Sequence, residues 1–259
     1  MQPIDKYNSR VGKVGSLLCV GLDSELAKLS DKFKMVAFPQ FQFNKWIIEQ
    51  THEFVSAYKI NIAFYEQHGD KGLKELKMTM DYLVGNYPDI FTICDAKRGD
   101  IGNSNRGYVE EIFDWLRFDA VTLHPYMGKE SLEPFLARKD KMNFILCRTS
   151  NPGAGEFQSL SGRTAGSEEA VRPLWEIVAE HVKDWGDNCG LVVATDFNKV
   201  REIAGDMPFL VPGIGAQGGS VEEAVKGGNV IIHSARGIIF AENPNDEAKK
   251  LRDEINRCR

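Results

Sequence analysis

Residues 95–104 read Asp-Ala-Lys-Arg-Gly-Asp-Ile-Gly-Asn-Ser, the densest group of chemically competent side chains in the chain. They follow the apolar run 90–94, which reads as a buried strand. A strand turns successive side chains to opposite faces, so Asp95 and Lys97 point the same way. Asp100 lies just beyond, where Gly99 permits a turn. Buried charge is costly unless it is paired. Alternating charges at the C-terminal end of a strand therefore form a structural ion pair or a device for moving a proton and stabilising an anion. A second polar pair, Lys59 and Asn61, interrupts the apolar stretch 57–63 and also shares one face. A lysine inside a parallel strand needs a carboxylate, and the next strand supplies Asp95. Lys59, Asp95, Lys97 and Asp100 are thus expected to form one alternating array across neighbouring strand ends. Asp23 closes the first apolar run. Taken alone, Asp23 and Asn61 fit caps or turn formers equally well.

The elements that must hold these side chains follow from the hydrophobic pattern. Short apolar runs recur at 16–20, 57–62, 90–94, 120–123, 143–147, 191–194, 209–211 and 230–232. Most are continuous rather than alternating, as parallel strands covered on both faces should be. Amphipathic segments at 43–56, 73–84, 107–116, 170–185, 221–226 and 246–255 separate them at helical spacing. This alternation means a closed (β/α)8 barrel or an open doubly wound sheet. Eight strands in 259 residues favour the barrel, which takes about 250. No linker, charge block or low-complexity tract divides the chain, so one barrel domain over 1–259 is expected. Barrels keep their sites at the C-terminal ends of the strands. The glycine-containing segment 151–167 follows the fifth strand and is expected to act as a lid, with a plain surface loop as the alternative. After the seventh strand, Pro212-Gly213-Ile214-Gly215-Ala216-Gln217-Gly218-Gly219 can bring several backbone N–H groups to an anion. Arg236 and Gly237 end the eighth strand. Loops seven and eight form the recurrent phosphate site of such barrels. Arg236 would add a charge-assisted contact there and Gln217 a neutral one.

Composition narrows the function further. The chain is 42% apolar and 27% charged, with a net charge of −5, which offers no general attraction to nucleic acid. No apolar run approaches the ~20 residues that cross a bilayer. Residues 1–6 lack the pattern of a secretory signal. The five cysteines show no Cys-x-x-Cys pair and fit reduced, buried thiols in a cytoplasmic protein. The five histidines have no zinc-ligand spacing, and His124 and His233 read as structural strand-end residues.

Asp95-x-Lys97-x-x-Asp100-Ile101, with Lys59 before it and the 212–219 and Arg236-Gly237 segments after it, resembles orotidine 5′-phosphate decarboxylase, in the longer bacterial branch of that family. The resemblance runs from Leu18 to about Pro244, with Ser104 where many members carry threonine. It implies a (β/α)8 barrel that converts orotidine 5′-monophosphate to UMP and carbon dioxide, the last step of UMP synthesis, without metal or organic cofactor. Lys97 would donate the proton to C6 of the pyrimidine. Asp95 and Asp100 would crowd the substrate carboxylate and orient Lys97, and Lys59 would anchor Asp95. Asp23 and Asn61 would bind ribose hydroxyls. Ser150, in Arg148-Thr149-Ser150-Asn151-Pro152, would contact the base. Gln217, Gly218 and Arg236 would hold the phosphate, and Pro212 and Gly237 would also contact the substrate. The family also implies a homodimer, in which Asp100 and Ile101 enter the partner's site and the segment through Ser104 lies in a two-fold interface. Two other readings stay open: a magnesium-dependent sugar-phosphate lyase on the same scaffold, which EDTA would inhibit, and a non-catalytic nucleotide-binding protein.

Overall fold

The computed structural model describes residues 2–162, 171–213, 221–226 and 228–259. Eight strands close into a barrel: β1 (Leu18–Gly21), β2 (Ala57–Asn61), β3 (Phe91–Arg98), β4 (Ala120–Leu123), β5 (Met142–Arg148), β6 (Cys189–Val193), β7 (Phe209–Val211) and β8 (Val230–Ser234). Each pairs in parallel with its neighbour in chain order, and β8 returns to β1 with Cys19 opposite His233. The barrel expected from the apolar runs is therefore the observed fold. A separate two-stranded antiparallel pair, Ser161–Gly162 with Arg172–Pro173, lies between β5 and β6.

Helices cover the barrel outside. The expected segments appear as Pro39–Thr51, Gly69–Asn86, Gly102–Val109 continuing as a π-helix over Glu110–Trp115, Leu174–Lys183, Val221–Val225 and Pro244–Arg257. Two further helices of eight or more residues, Asp5–Val14 and Phe197–Ala204, were not among the expected segments, although Phe197, Val200, Ile203 and Ala204 recur at helical spacing. Asp5–Val14 closes the N-terminal end of the barrel, where the Tyr7 hydroxyl donates to the Val230 carbonyl at 2.7 Å. The apolar interior is continuous from the barrel into these helices, with Tyr58, Tyr65, Phe91, Phe144 and Phe209 fully buried.

Two features shape the C-terminal end. The segment after β1 is fastened from below: the Tyr65 hydroxyl donates to the Leu22 carbonyl at 2.7 Å, and the Gln40 amide donates to the Ser24 carbonyl at 2.7 Å. These buried bonds hold Asp23 at the barrel mouth. The ladders also lose register, between Cys94 and Arg98 on β3 and between Leu146 and Arg148 on β5. Such irregularities re-aim side chains next to active sites. The β3 irregularity holds Lys97, whose φ of 49° is in the left-handed region.

Candidate active site

β3 extends beyond the apolar run to Arg98, so Asp95 and Lys97 are strand residues. Asn61 on β2 stands directly opposite Asp95. The Lys59 ammonium donates to Asp95 Oδ2 at 2.7 Å, and the Lys97 ammonium donates to Asp95 Oδ1 at 2.5 Å. The Thr122 hydroxyl on β4 donates to the same Oδ1 at 2.9 Å. Lys59 and Asp95 are buried, whereas Lys97 is half exposed. Burial alone would raise the Asp95 pKa, but the two ammonium groups outweigh it and hold the carboxyl below the usual carboxylate range. Burial opposes the charge on Lys59 as well. Asp95 and Asp23 overcome it and push Lys59 above the ordinary lysine range. Asp95 and Lys59 are thus both ionised at neutral pH, and the Asp95 carboxylate lies between the side-chain nitrogens of Lys59 and Lys97.

The array lies where two adjoining cavities of about 470 and 490 Å3 meet, since Lys59, Asp95 and Pro212 line both. The first cavity is the more polar of the two and is lined by Asp23, Asn61, Gly213, Arg236 and Gly237, with Glu247, Lys250 and Glu254 of helix Pro244–Arg257 also on its wall. Asp23 Oδ1 accepts the Asn61 backbone N–H at 3.2 Å. Arg236 is exposed and has no acidic partner among the described residues. The second cavity contains Lys97 and Thr122, apolar walls from Leu146, Val192 and Leu210, and Ser150 and Pro152 at its rim. The rim is tied to helix Ala154–Gln158, because Gln158 accepts the Thr149 N–H at 3.0 Å and donates to the Thr149 hydroxyl at 2.7 Å. One lobe suits an anionic, hydroxylated group. The other suits a flat, partly apolar ring.

Three of the four expected array members meet. Asp100 does not join them and lines neither cavity. Its Oδ1 accepts the Ile101 N–H at 2.7 Å, and its backbone is clasped by Asn105, whose amide also reaches the Ser131 carbonyl at 2.6 Å. Ile101 and Ser104 are exposed and also lie outside the cavities of their own chain. Gln217 and Gly218, and part of the expected lid at 163–167, lie outside the described residues. Gly99 does not have a positive φ. A Cβ there would stand 2.6 Å from the His124 ring, so glycine is required by close approach rather than by a special turn.

Two site residues escaped the sequence reading. Thr122 is a polar residue in an apolar run. His233, taken as a structural residue, lines the first cavity with both ring nitrogens buried and unpaired. Burial, and then the charge on Lys59, hold its pKa well below the usual histidine range, so it is neutral. The missed signal was the alternation of inward positions, which places His233 on the same face of β8 as Ile231.

A lobe carrying Arg236 and Gly237 beyond β8 and Pro212 and Gly213 beyond β7, joined to a Lys-Asp-Lys array at the strand ends, is the site expected of a barrel enzyme acting on a phosphorylated small molecule. Residues 16–251 match the family model described as Orotidine 5'-phosphate decarboxylase / HUMPS family. A Flavobacterium johnsoniae protein named orotidine 5′-phosphate decarboxylase is 46% identical, covering 92% of this chain and 89% of the relative. A Christiangramia forsetii protein of the same name is 44% identical, covering 94% and 91%. The solved structure of Leishmania donovani OMP decarboxylase superposes with a TM-score of 0.85 at 37% identity, covering 100% of this chain and 98% of that one. The chain belongs to the orotidine 5′-phosphate decarboxylase / HUMPS family.

Proposed function

We propose that the chain decarboxylates orotidine 5′-monophosphate to UMP and carbon dioxide, with Lys97 as proton donor to C6. The observation that carries this reading is the Asp95 carboxylate held between the Lys59 and Lys97 ammonium groups at the junction of the two lobes. The names and 44–46% identities of the bacterial relatives support the substrate. When the bond from C6 to the carboxylate breaks, its electron pair stays on C6 and carbon dioxide leaves. The ring offers no sink for that pair, so fixed positive charge must stabilise it. Lys97 supplies the charge, then transfers an Nζ proton to C6 and is reprotonated from solvent. Asp95 keeps Lys97 directed. Asp23 and Asn61 take ribose hydroxyls, Ser150 the base, and Arg236, Gly237 and Pro212, with Gln217 and Gly218, the phosphate. Remote phosphate binding helps to position the reacting carbon. The buried, unpaired Cys19, Cys94, Cys147 and Cys189 support a reducing, cytoplasmic setting.

The site is completed across a homodimer. Asp100, Ile101 and Ser104 lie outside their own chain's cavities, and exposed Ile101, Tyr126 and Met127 offer an apolar face after β3 and β4. Asp100 would then serve the partner's site. Following the absorbance of orotidine monophosphate with purified protein tests the reaction. Lys97→Ala should lose about a thousandfold or more in turnover, the sum of proton transfer and charge stabilisation, while still binding UMP. Retention of more than a tenth of the activity removes Lys97 from this role. Mixing inactive Lys97→Ala and Asp100→Ala chains tests the sharing. Half the re-associated dimers are mixed, and each has one intact site, so about a quarter of wild-type activity should return. No recovery, with subunit exchange confirmed, places Asp100 in its own chain's site.

A further inference from the structure

We infer that Thr122 is a positioning residue of the array, whose hydroxyl holds the left-handed backbone that aims the Lys97 ammonium into the site. This rests on the reading of Lys97 as proton donor. The β3–β4 ladder is regular at Ile93–Ala120 and Cys94–Val121 and resumes at Arg98–Leu123. Three β3 residues, Asp95, Ala96 and Lys97, therefore face one β4 residue, Thr122. A backbone N–H that loses its ladder partner must be satisfied elsewhere. The Lys97 N–H donates to Thr122 Oγ1 at 3.1 Å, so a side-chain oxygen replaces the missing ladder contact. An ionised carboxylate only accepts, so the hydroxyl proton points to Asp95 Oδ1 at 2.9 Å. That oxygen also receives the Lys97 ammonium at 2.5 Å.

One buried hydroxyl therefore ties the Lys97 backbone to the carboxylate that binds the Lys97 side chain. A non-glycine residue at φ 49° is sterically disfavoured and persists only when its surroundings enforce it. Thr122 supplies that enforcement. Without it, the Lys97 peptide is free to relax toward ordinary strand geometry, which turns the side chain away from the cavity. Thr122 is 2% exposed on a barrel strand, so its own geometry is fixed by packing. It stands apart from Asp23, Asn61 and Arg236, which line the other lobe, so its effect should fall on turnover rather than on UMP binding.

The test compares Thr122→Val, a near-isostere without the hydroxyl, with Thr122→Ser, which keeps it. Binding sites are counted and their UMP affinity measured by calorimetry, and turnover is expressed per site, so inactive protein does not enter. Losing a hydrogen bond to a charged group predicts that the valine variant turns over about tenfold to a hundredfold more slowly per site. UMP affinity should stay within about threefold, since the ribose and phosphate contacts lie in the other lobe and valine keeps the shape of the threonine against the ring. Serine should restore most of the lost turnover. A loss below about tenfold, an equal loss of UMP affinity, or no repair by serine overturns the inference. Thr122→Ala is read in the same way if the valine variant does not fold. Lys97→Ala in the same assay separates the two claims. If it remains active, the proton-donor reading fails and takes this inference with it. If it is inactive while Thr122→Val is unimpaired, only the role of Thr122 falls.

Discussion

The array makes opposite demands on its two buried members, and stability measurements should expose the difference. Removing Lys59 as Lys59→Met leaves Asp95 with the Lys97 ammonium at 2.5 Å and the Thr122 hydroxyl at 2.9 Å. The carboxylate stays paired, and a methionine fills the lysine's apolar volume. Removing one ion of a buried pair costs about 3–5 kcal/mol when the other charge is left uncompensated; Asp95 keeps its Lys97 partner, so the expected cost lies below that range. Removing the charge as Asp95→Asn instead leaves two ammonium groups without their shared carboxylate, and Lys59 is only 5% exposed. An uncompensated buried charge costs about 3–5 kcal/mol. Urea unfolding at one fixed protomer concentration should therefore rank Asp95→Asn well below Lys59→Met. The pH dependence gives a second check. In the wild type, Lys59 is raised above the ordinary lysine value, so its contribution is complete below the unfolded value near ~10.4 and is lost only as pH rises through the higher folded one. Asp95 is depressed, so its contribution is complete above about 4 and is lost as pH falls through its lower folded value. Between these limits the pair adds no slope. In Asp95→Asn, burial is expected to drive the Lys59 pKa down instead. The unfolded chain then binds the extra proton between the two values, and the variant's stability should rise with pH from about 7 to 10. Equal destabilisation by the two substitutions, or an Asp95→Asn stability that does not rise with pH, refutes the reasoning.

Two further perturbations test the polar lobe. Arg236→Ala should weaken UMP about tenfold to a hundredfold while leaving uridine unchanged, because a charge-assisted phosphate contact is worth about 1.5–3 kcal/mol; equal weakening of both ligands in calorimetry excludes a phosphate contact. Gly21→Ala would set a Cβ 2.6 Å from both Ala235 Cβ and His233 Nε2. Overpacking of this kind costs about 1–3 kcal/mol, so a urea midpoint equal to wild type would show that His233 yields freely.

The fold was legible because parallel strands covered on both faces need continuous apolar runs, and all eight runs lie on or overlap a barrel strand. Lys59, Asn61, Asp95 and Lys97 were legible for the complementary reason. Charged or amide side chains within such runs have no apolar role, and the order of the strands put Lys59 beside Asp95. Helix Asp5–Val14 was not, since its burial rests on Tyr7 and Arg10, whereas Phe197–Ala204 was passed over although Phe197, Val200 and Ala204 follow helical spacing. Asp100 marks another limit. Its spacing placed it near the array, but the turn after Arg98 and the Asn105 clasp direct it elsewhere, and spacing along a strand says nothing about direction beyond its end.

Thr122 and His233 show where reading residue types fails for a physical reason. A threonine suits a strand by shape, and a lone histidine is a common strand-end residue, so neither interrupts an apolar run as a lysine does. What gives them a role is register. Thr122 matters because the ladder skips three residues of β3 and leaves the Lys97 N–H to be satisfied. His233 matters because Gly21, its neighbour across β1, lacks the Cβ that would occupy the place of its ring. Both conditions are properties of a pair of strands, set by residues more than twenty positions away in the chain. Charge within or just beyond an apolar run locates the Lys-Asp-Lys array of this barrel, whereas the residues that set its directions emerge only once the strands are laid side by side.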